Sequence, residues 1–131
     1  RFEKPVVVVV KAGYDLLIDE NFEGYEQVTQ DDYYRGDFFL RVVGDSMSGA
    51  HIHDGDLLYV KKCQDVPSGT IAVVLIGRSE VTVKKVIKKE GLLILQPANP
   101  SVDARYYFKE EVESLPVDII GKALYSRSDL V

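Results

Sequence analysis

Two strand-length apolar runs, Thr70–Ile76 and Glu80–Ile87, are separated only by Gly77-Arg78-Ser79. No other feature constrains the fold so tightly. Both runs are rich in β-branched residues, and a glycine-containing connection this short closes a β-hairpin. The same punctuation recurs along the chain. Pro5–Val10 is predicted as a strand, and Tyr25–Thr29 as a short one. Asp37–Val43 and Asp56–Lys62 follow, then Leu92–Gln96 and a closing strand at Val117–Tyr125. Val66-Pro67-Ser68-Gly69 is turn chemistry, because proline presets φ and glycine tolerates positive φ. Tyrosine-rich Asp31–Gly36 reads as a loop, Gly44–Gly55 as a connection with at most one helical turn, Pro97–Pro100 as a loop, and Phe108–Ser114 as a short helix. No repeat or linker divides the chain. The expected fold is mainly β, compact, antiparallel and strongly bent.

At 131 residues the chain is expected to form a single domain. The longest apolar run, Val6–Val10, falls far short of the roughly 20 residues that span a bilayer, so no membrane role is expected. A lone cysteine, Cys63, cannot form an internal disulfide and fits a reducing cytoplasm. The net charge of −5 argues against this segment gripping nucleic acid. The sequence opens on Arg1 and its one methionine is Met47. A fragment or processed product is therefore expected, with any DNA-binding domain on the N-terminal side.

Two elements carry chemistry. In Gly44-Asp45-Ser46-Met47 a serine follows a predicted strand at a sharp turn, where backbone N–H groups can face an oxyanion. Alone this is weak, because serine in a glycine-rich turn is usually only a turn residue. In Glu80-Val81-Thr82-Val83-Lys84-Lys85-Val86 lysines interrupt an apolar strand. They could be charges that discourage edge pairing. They could also supply the base that a serine nucleophile requires. An unperturbed lysine is neutral in only about one molecule in 2,500 at pH 7, and burial can lower its pKa by up to ~3–5 units. Strand parity does not choose between them: Lys84 shares a face with Thr82 and Val86, and Lys85 with Val81, Val83 and Ile87.

Gly44-Asp45-Ser46-Met47, His53-Asp54-Gly55-Asp56-Leu57-Leu58, Gln64-Asp65-Val66 and Glu80-Val81-Thr82-Val83-Lys84 occur in that order. Together they resemble the self-cleaving protease domain of LexA, UmuD and phage repressors, and the likeness runs from about Val8 to Ile120. It implies the LexA/signal-peptidase type of fold, with Ser46 as nucleophile and Lys84, not Lys85, as general base. The backbone N–H groups of Asp45 and Ser46 would form the oxyanion hole. Thr82, on the face of Lys84, is expected to orient the amine. Val10-Lys11-Ala12-Gly13-Tyr14, with Leu16-Leu17 and Phe22-Glu23-Gly24-Tyr25, is similar to the family's cleavage region. The scissile bond is then Ala12–Gly13, within a cleavage-site region at residues 5–20. The Gly77-Arg78-Ser79 turn is about one residue longer than in LexA.

The resemblance further implies a DNA-damage (SOS) or prophage repressor domain, residues 1–131, that dimerises and is inactivated by its own cut. Its activator would be a RecA–single-stranded DNA filament, and it would meet DNA only through the absent N-terminal domain. Two alternatives remain: a UmuD-like mutagenesis subunit activated by the same cut, and an oligomerisation module with vestigial cleavage. A helix-turn-helix upstream of Arg1 would mark a repressor and a short arm a UmuD-like subunit. The closing strand, Val117–Tyr125, is expected as an exposed pairing edge for a two-fold dimer. No cofactor or metal is expected, because His51 and His53 lack converging partners and Asp54-Gly55-Asp56 is turn chemistry. Cys63 is expected to be passive, Tyr33, Tyr34, Tyr106 and Tyr107 to pack, and Lys61-Lys62 and Lys88-Lys89 to be solvated.

Overall fold

A computed structural model describes residues 1–128. The strands are β1 (Glu3–Val7), β2 (Phe22–Gln27), β3 (Phe38–Arg41), β4 (Leu57–Lys62), β5 (Thr70–Ile76), β6 (Glu80–Lys89), β7 (Leu92–Gln96), β8 (Arg105–Phe108) and β9 (Val117–Arg127). Two short helices, α1 (Gln30–Arg35) and α2 (Lys109–Ser114), join them, with single 3-10 turns at Asp19–Asn21 and Ser48–Ala50. The strands form one sheet in the order β2-β1-β3-β4-β9-β5-β6-β7-β8. Pairing is antiparallel except between β1 and β3, where Val6 lies beside Phe39 and Val7 beside Leu40. No helix among the described residues is long and apolar enough to cross a membrane.

The central runs are continuously apolar because they are buried on both faces, which removes the usual alternation. Along β5, Val73 and Leu75 join one core with Phe38, Leu40, Leu58, Val60 and Met47. Ala72, Val74 and Ile76 join a second core with Val86, Leu95 and Tyr107. In β4, Leu58 and Val60 enter the first core, while Leu57 and Tyr59 meet Val6 and Phe39 in a third.

β9 is where the sheet bends. It pairs with β5 from Val117 to Lys122 and with β4 from Gly121 to Arg127, and the register shifts in both ladders. Such bulges increase local twist and turn a strand. The bend needs a residue without a side chain, because a Cβ on Gly121 would lie 2.4 Å from Val60 Cγ1 and 2.9 Å from the Lys61 carbonyl. The expectation of an exposed edge at Val117–Tyr125 is corrected by this arrangement. β9 lies inside the sheet, and the outer strands are β2 and β8.

Three other expectations change. Asp31–Gly36 is not a loop, because Gln30–Arg35 is helical. Thr29 Oγ1 accepts the Asp32 N–H at 3.2 Å, Asp31 and Asp32 occupy the first turn, and Arg35 closes the last. This is ordinary cap and dipole chemistry, obscured by tyrosines. The first strand ends at Val7 rather than Val10, since the Val8 N–H turns to the Asn21 carbonyl at 2.9 Å and the next residues are caught by the Asn21 side chain. Arg105–Phe108 forms a strand that was not expected, and α2 begins only after it.

Candidate active site

Ser46 stands on the loop after β3, and two neighbouring segments hold that loop in place. On its entry side, Gly44 adopts φ +92° and its N–H donates to Asp54 Oδ1 at 2.8 Å. On its exit side it is tied to residues 98 and 99. The Ala98 N–H donates to the Ser46 carbonyl at 2.8 Å, and the Gly49 N–H donates to the Ala98 carbonyl at 2.6 Å. Asn99 Nδ2 donates to the Asp45 carbonyl at 3.0 Å. The approach is so close that a Cβ on Gly49 would sit 2.4 Å from the Ala98 oxygen. With its carbonyls engaged, the loop keeps the Asp45 and Ser46 N–H groups without an acceptor in any hydrogen bond among the described residues. Donors left free in this way can serve an oxyanion.

β6 brings the amine. Lys84 is 6% exposed, whereas Lys85 on the opposite face is exposed to solvent. This is the distinction that strand parity left open. Ala72, fully buried, lies directly across from Lys84 and leaves room for the long side chain. Lys84 Nζ meets Ser46 Oγ at 3.0 Å, Thr82 Oγ1 at 2.5 Å and the Val83 carbonyl at 3.2 Å. The set suits either protonation state. An ammonium would donate three hydrogen bonds; a neutral amine would donate two, to Thr82 and Val83, and receive the Ser46 hydroxyl on its lone pair.

Burial is the main cause that lowers the Lys84 pKa, and the nearby Arg105 guanidinium adds to it. The Glu80 carboxylate opposes both. Glu80 is itself held by Arg105, whose Nη1 donates to Glu80 Oε1 at 3.1 Å and whose Nη2 donates to Oε2. That pairing holds the Glu80 carboxyl below its ordinary value. Despite Glu80, the balance favours loss of the proton, so a lysine buried in this way gives it up more readily than one in water.

A groove of about 330 Å³ opens beside Ser46. Leu40–Gly44 and Met47 form one wall, Ser79–Val83 the other, and Val9 reaches into it. Ala12 packs against the core cluster that contains Met47, together with Val81 and Val83. Farther along, Arg78 Nε lies 3.4 Å from the Tyr14 hydroxyl. Of the segment around the expected scissile bond, Val9 lines the groove, whereas Ala12 and Gly13 are not among its lining residues and Tyr14 and Leu16 line a separate cavity with Phe38 and Ile120.

Other singled-out residues have plainer places. His51 has φ +61° at the end of a 3-10 turn, and the His53 N–H donates to Asp56 Oδ2 at 2.8 Å. Among the described residues, no three His, Cys, Asp or Glu side chains converge to hold a metal. Burial pushes the Cys63 thiol up, away from thiolate. Lys88 bonds Asp65 at 2.5 Å. Tyr33 packs on Phe2, Tyr107 is buried, and Tyr34 and Tyr106 are exposed. Sequence reasoning missed Ala98, Asn99, Arg105 and Asn21. The first three approach the site only through folding. Asn21 lies close in sequence to Ala12, but a lone asparagine before a strand gives no signal of its own.

A family model described as Peptidase S24-like matches residues 5–124. The chain is 37% identical over 118 residues to a LexA repressor of Hahella chejuensis, covering 89% of this chain and 57% of that protein. It is 35% identical over 122 residues to a LexA repressor of Lacticaseibacillus casei, covering 92% and 59% respectively. A LexA repressor of Methylococcus capsulatus is 43% identical over 97 residues, or 73% of this chain and 48% of that protein. The chain spans about half the length of these relatives.

Proposed function

This chain belongs to the Peptidase S24-like family, and from that premise we propose that it is the self-cleaving C-terminal domain of a LexA-type repressor, with its own Ala12–Gly13 bond as substrate. One observation carries the proposal: a lysine only 6% exposed whose Nζ lies 3.0 Å from a serine hydroxyl. Outside catalysis, burying an ionisable amine against a hydroxyl gains little and penalises the charged form.

Neutral Lys84 takes the proton from Ser46, and Oγ attacks the Ala12 carbonyl carbon. The Asp45 and Ser46 N–H groups stabilise the oxyanion. As the tetrahedral intermediate collapses, protonated Lys84 gives its proton to the Gly13 nitrogen and the C–N bond breaks. Water then hydrolyses the Ala12 ester with Lys84 again as base. Thr82 Oγ1 and the Val83 carbonyl hold the amine with its lone pair toward Ser46. Because substrate and nucleophile share one chain, effective concentration is high. Regulation must then come from how the cleavage segment is held. A RecA–single-stranded DNA filament would favour the competent arrangement by binding it more tightly. Residues 1–131 would also associate as a homodimer, and DNA contact would fall to a domain on the N-terminal side.

Purified protein incubated at alkaline pH should yield a fragment beginning at Gly13, identified by mass. Ser46→Ala and Lys84→Ala should stay folded by circular dichroism and remain intact. A new terminus elsewhere, or cutting at the wild-type rate in either variant, would refute the proposal.

A further inference from the structure

The Ala12–Gly13 bond lies in a short segment whose two ends are held by a single side chain. Asn21 is completely buried. Its Oδ1 accepts the Val10 and Lys11 N–H groups, each at 2.8 Å. Its Nδ2 donates to the Lys11 carbonyl at 3.0 Å and to the Leu16 carbonyl at 3.1 Å. A carboxamide has two lone pairs and two N–H bonds, and here all four are used. The main chain of Lys11, the residue before Ala12, is fixed at both its N–H and its carbonyl. Leu16, three residues after Gly13, is drawn to the same amide and buried at 2% exposure. Residues 12–15 therefore form a loop whose two ends meet at one side chain, with Ala12 against the core and Tyr14 and Asp15 exposed.

We propose that Asn21 is a positioning residue for self-cleavage, presenting the Ala12 carbonyl to Ser46 by clamping the chain on both sides of the scissile bond. This rests on the self-cleavage proposed above for the same site. A buried asparagine can also simply satisfy the backbone of a loop. Here, however, three of its four hydrogen bonds fall on the two residues that precede the substrate carbonyl. A shift of about 1 Å in a reacting group can slow a reaction on the order of 100-fold, so losing the clamp should be felt at the bond rather than across the fold. No other side chain of this size would serve. Aspartate keeps the acceptor but turns a carboxylate toward the Lys11 and Leu16 carbonyls, and leucine keeps the volume but satisfies no backbone group.

Asn21→Asp and Asn21→Ala are compared with the unaltered chain in three measurements: the rate of appearance of the Gly13 terminus across pH, labelling of Ser46 by a fluorophosphonate, and hydrogen exchange of the Val10 and Lys11 amides. The expected result is cleavage slowed by on the order of 100-fold at every pH, with an unshifted midpoint, unchanged labelling of Ser46, and faster exchange of the two amides. Wild-type cleavage rates in both variants would overturn the inference and leave the dyad standing. Loss of labelling in parallel with cleavage in both would also overturn it, by showing a general structural role. If the unaltered chain labels at Ser46 yet never cuts at Ala12–Gly13, the self-cleavage proposal itself fails and the clamp with it.

Discussion

Glu80→Gln should make self-cleavage faster at neutral pH, although Glu80 has no part in bond-breaking. Among the groups near Lys84, Glu80 is the one that raises its pKa. Removing that carboxylate lets the amine become neutral at lower pH. The two residues are four apart on β6, or ~13 Å along the strand at about 3.3 Å per residue. For unit charges at about that backbone separation and an effective dielectric constant of ~20, Coulomb's law gives about 1.3 kcal/mol. That is up to about ninefold in the fraction of neutral amine at neutral pH. Because Glu80 is about half exposed, with 48% of its side chain accessible, salt will reduce the effect further. Glutamine is chosen because its carbonyl oxygen can still receive Arg105 and keep the guanidinium near Lys84. The assay is the first-order rate of appearance of the Gly13 terminus from pH 6 to 11. In both proteins the rate should climb about tenfold per pH unit and then level off. The levelling point should lie below the ordinary lysine value of ~10.4 and move to lower pH in Glu80→Gln. A midpoint that stays put or moves upward would refute the electrostatic account of Lys84.

Lys84→Met should melt at a higher temperature than the natural chain at neutral pH, with the difference shrinking as pH rises. A lysine whose folded pKa is depressed binds its proton more weakly when folded than when unfolded. The stability penalty is therefore complete below the folded pKa and is relieved as pH rises to the unfolded value near ~10.4, at about 1.4 kcal/mol per unit of depression. Thermal melts at pH 7 and pH 10.5 check this, and an equal difference at both would contradict burial as the cause. Gly121→Ala should lose about 1–3 kcal/mol of stability in urea denaturation, because its Cβ would press 2.4 Å from Val60 Cγ1 where β9 crosses between β4 and β5. An unchanged midpoint would mean that the bend has slack.

Much of the fold was legible because burial on two faces leaves a plain trace. Leu92–Gln96 and Thr70–Ile76 form strands with the bounds expected, since unbroken apolar runs between turn residues have few other uses. The Gln30–Arg35 helix leaves little trace in the sequence because it is specified by a cap and by end charges rather than by an apolar stripe, and none of its residues is buried. Val8–Val10 has strand composition but leaves the sheet, because Asn21 offers its amide groups a better partner than a neighbouring strand does. Composition records what a side chain prefers on average, not which neighbour will arrive.

Local sequence thus pointed to the serine turn and the lysine-bearing strand and marked out most of the strands, because turn residues, apolar runs and a serine after glycine act over a few residues. The three-dimensional arrangement alone decided which of two adjacent lysines is sequestered, that residues 98 and 99 brace the serine loop, that Arg105 and Glu80 bias the amine in opposite directions, and that β9 is internal. Each of these depends on desolvation or on contact between residues distant in the chain. Such energies arise only when the sheet bends and brings β6 over the loop that follows β3.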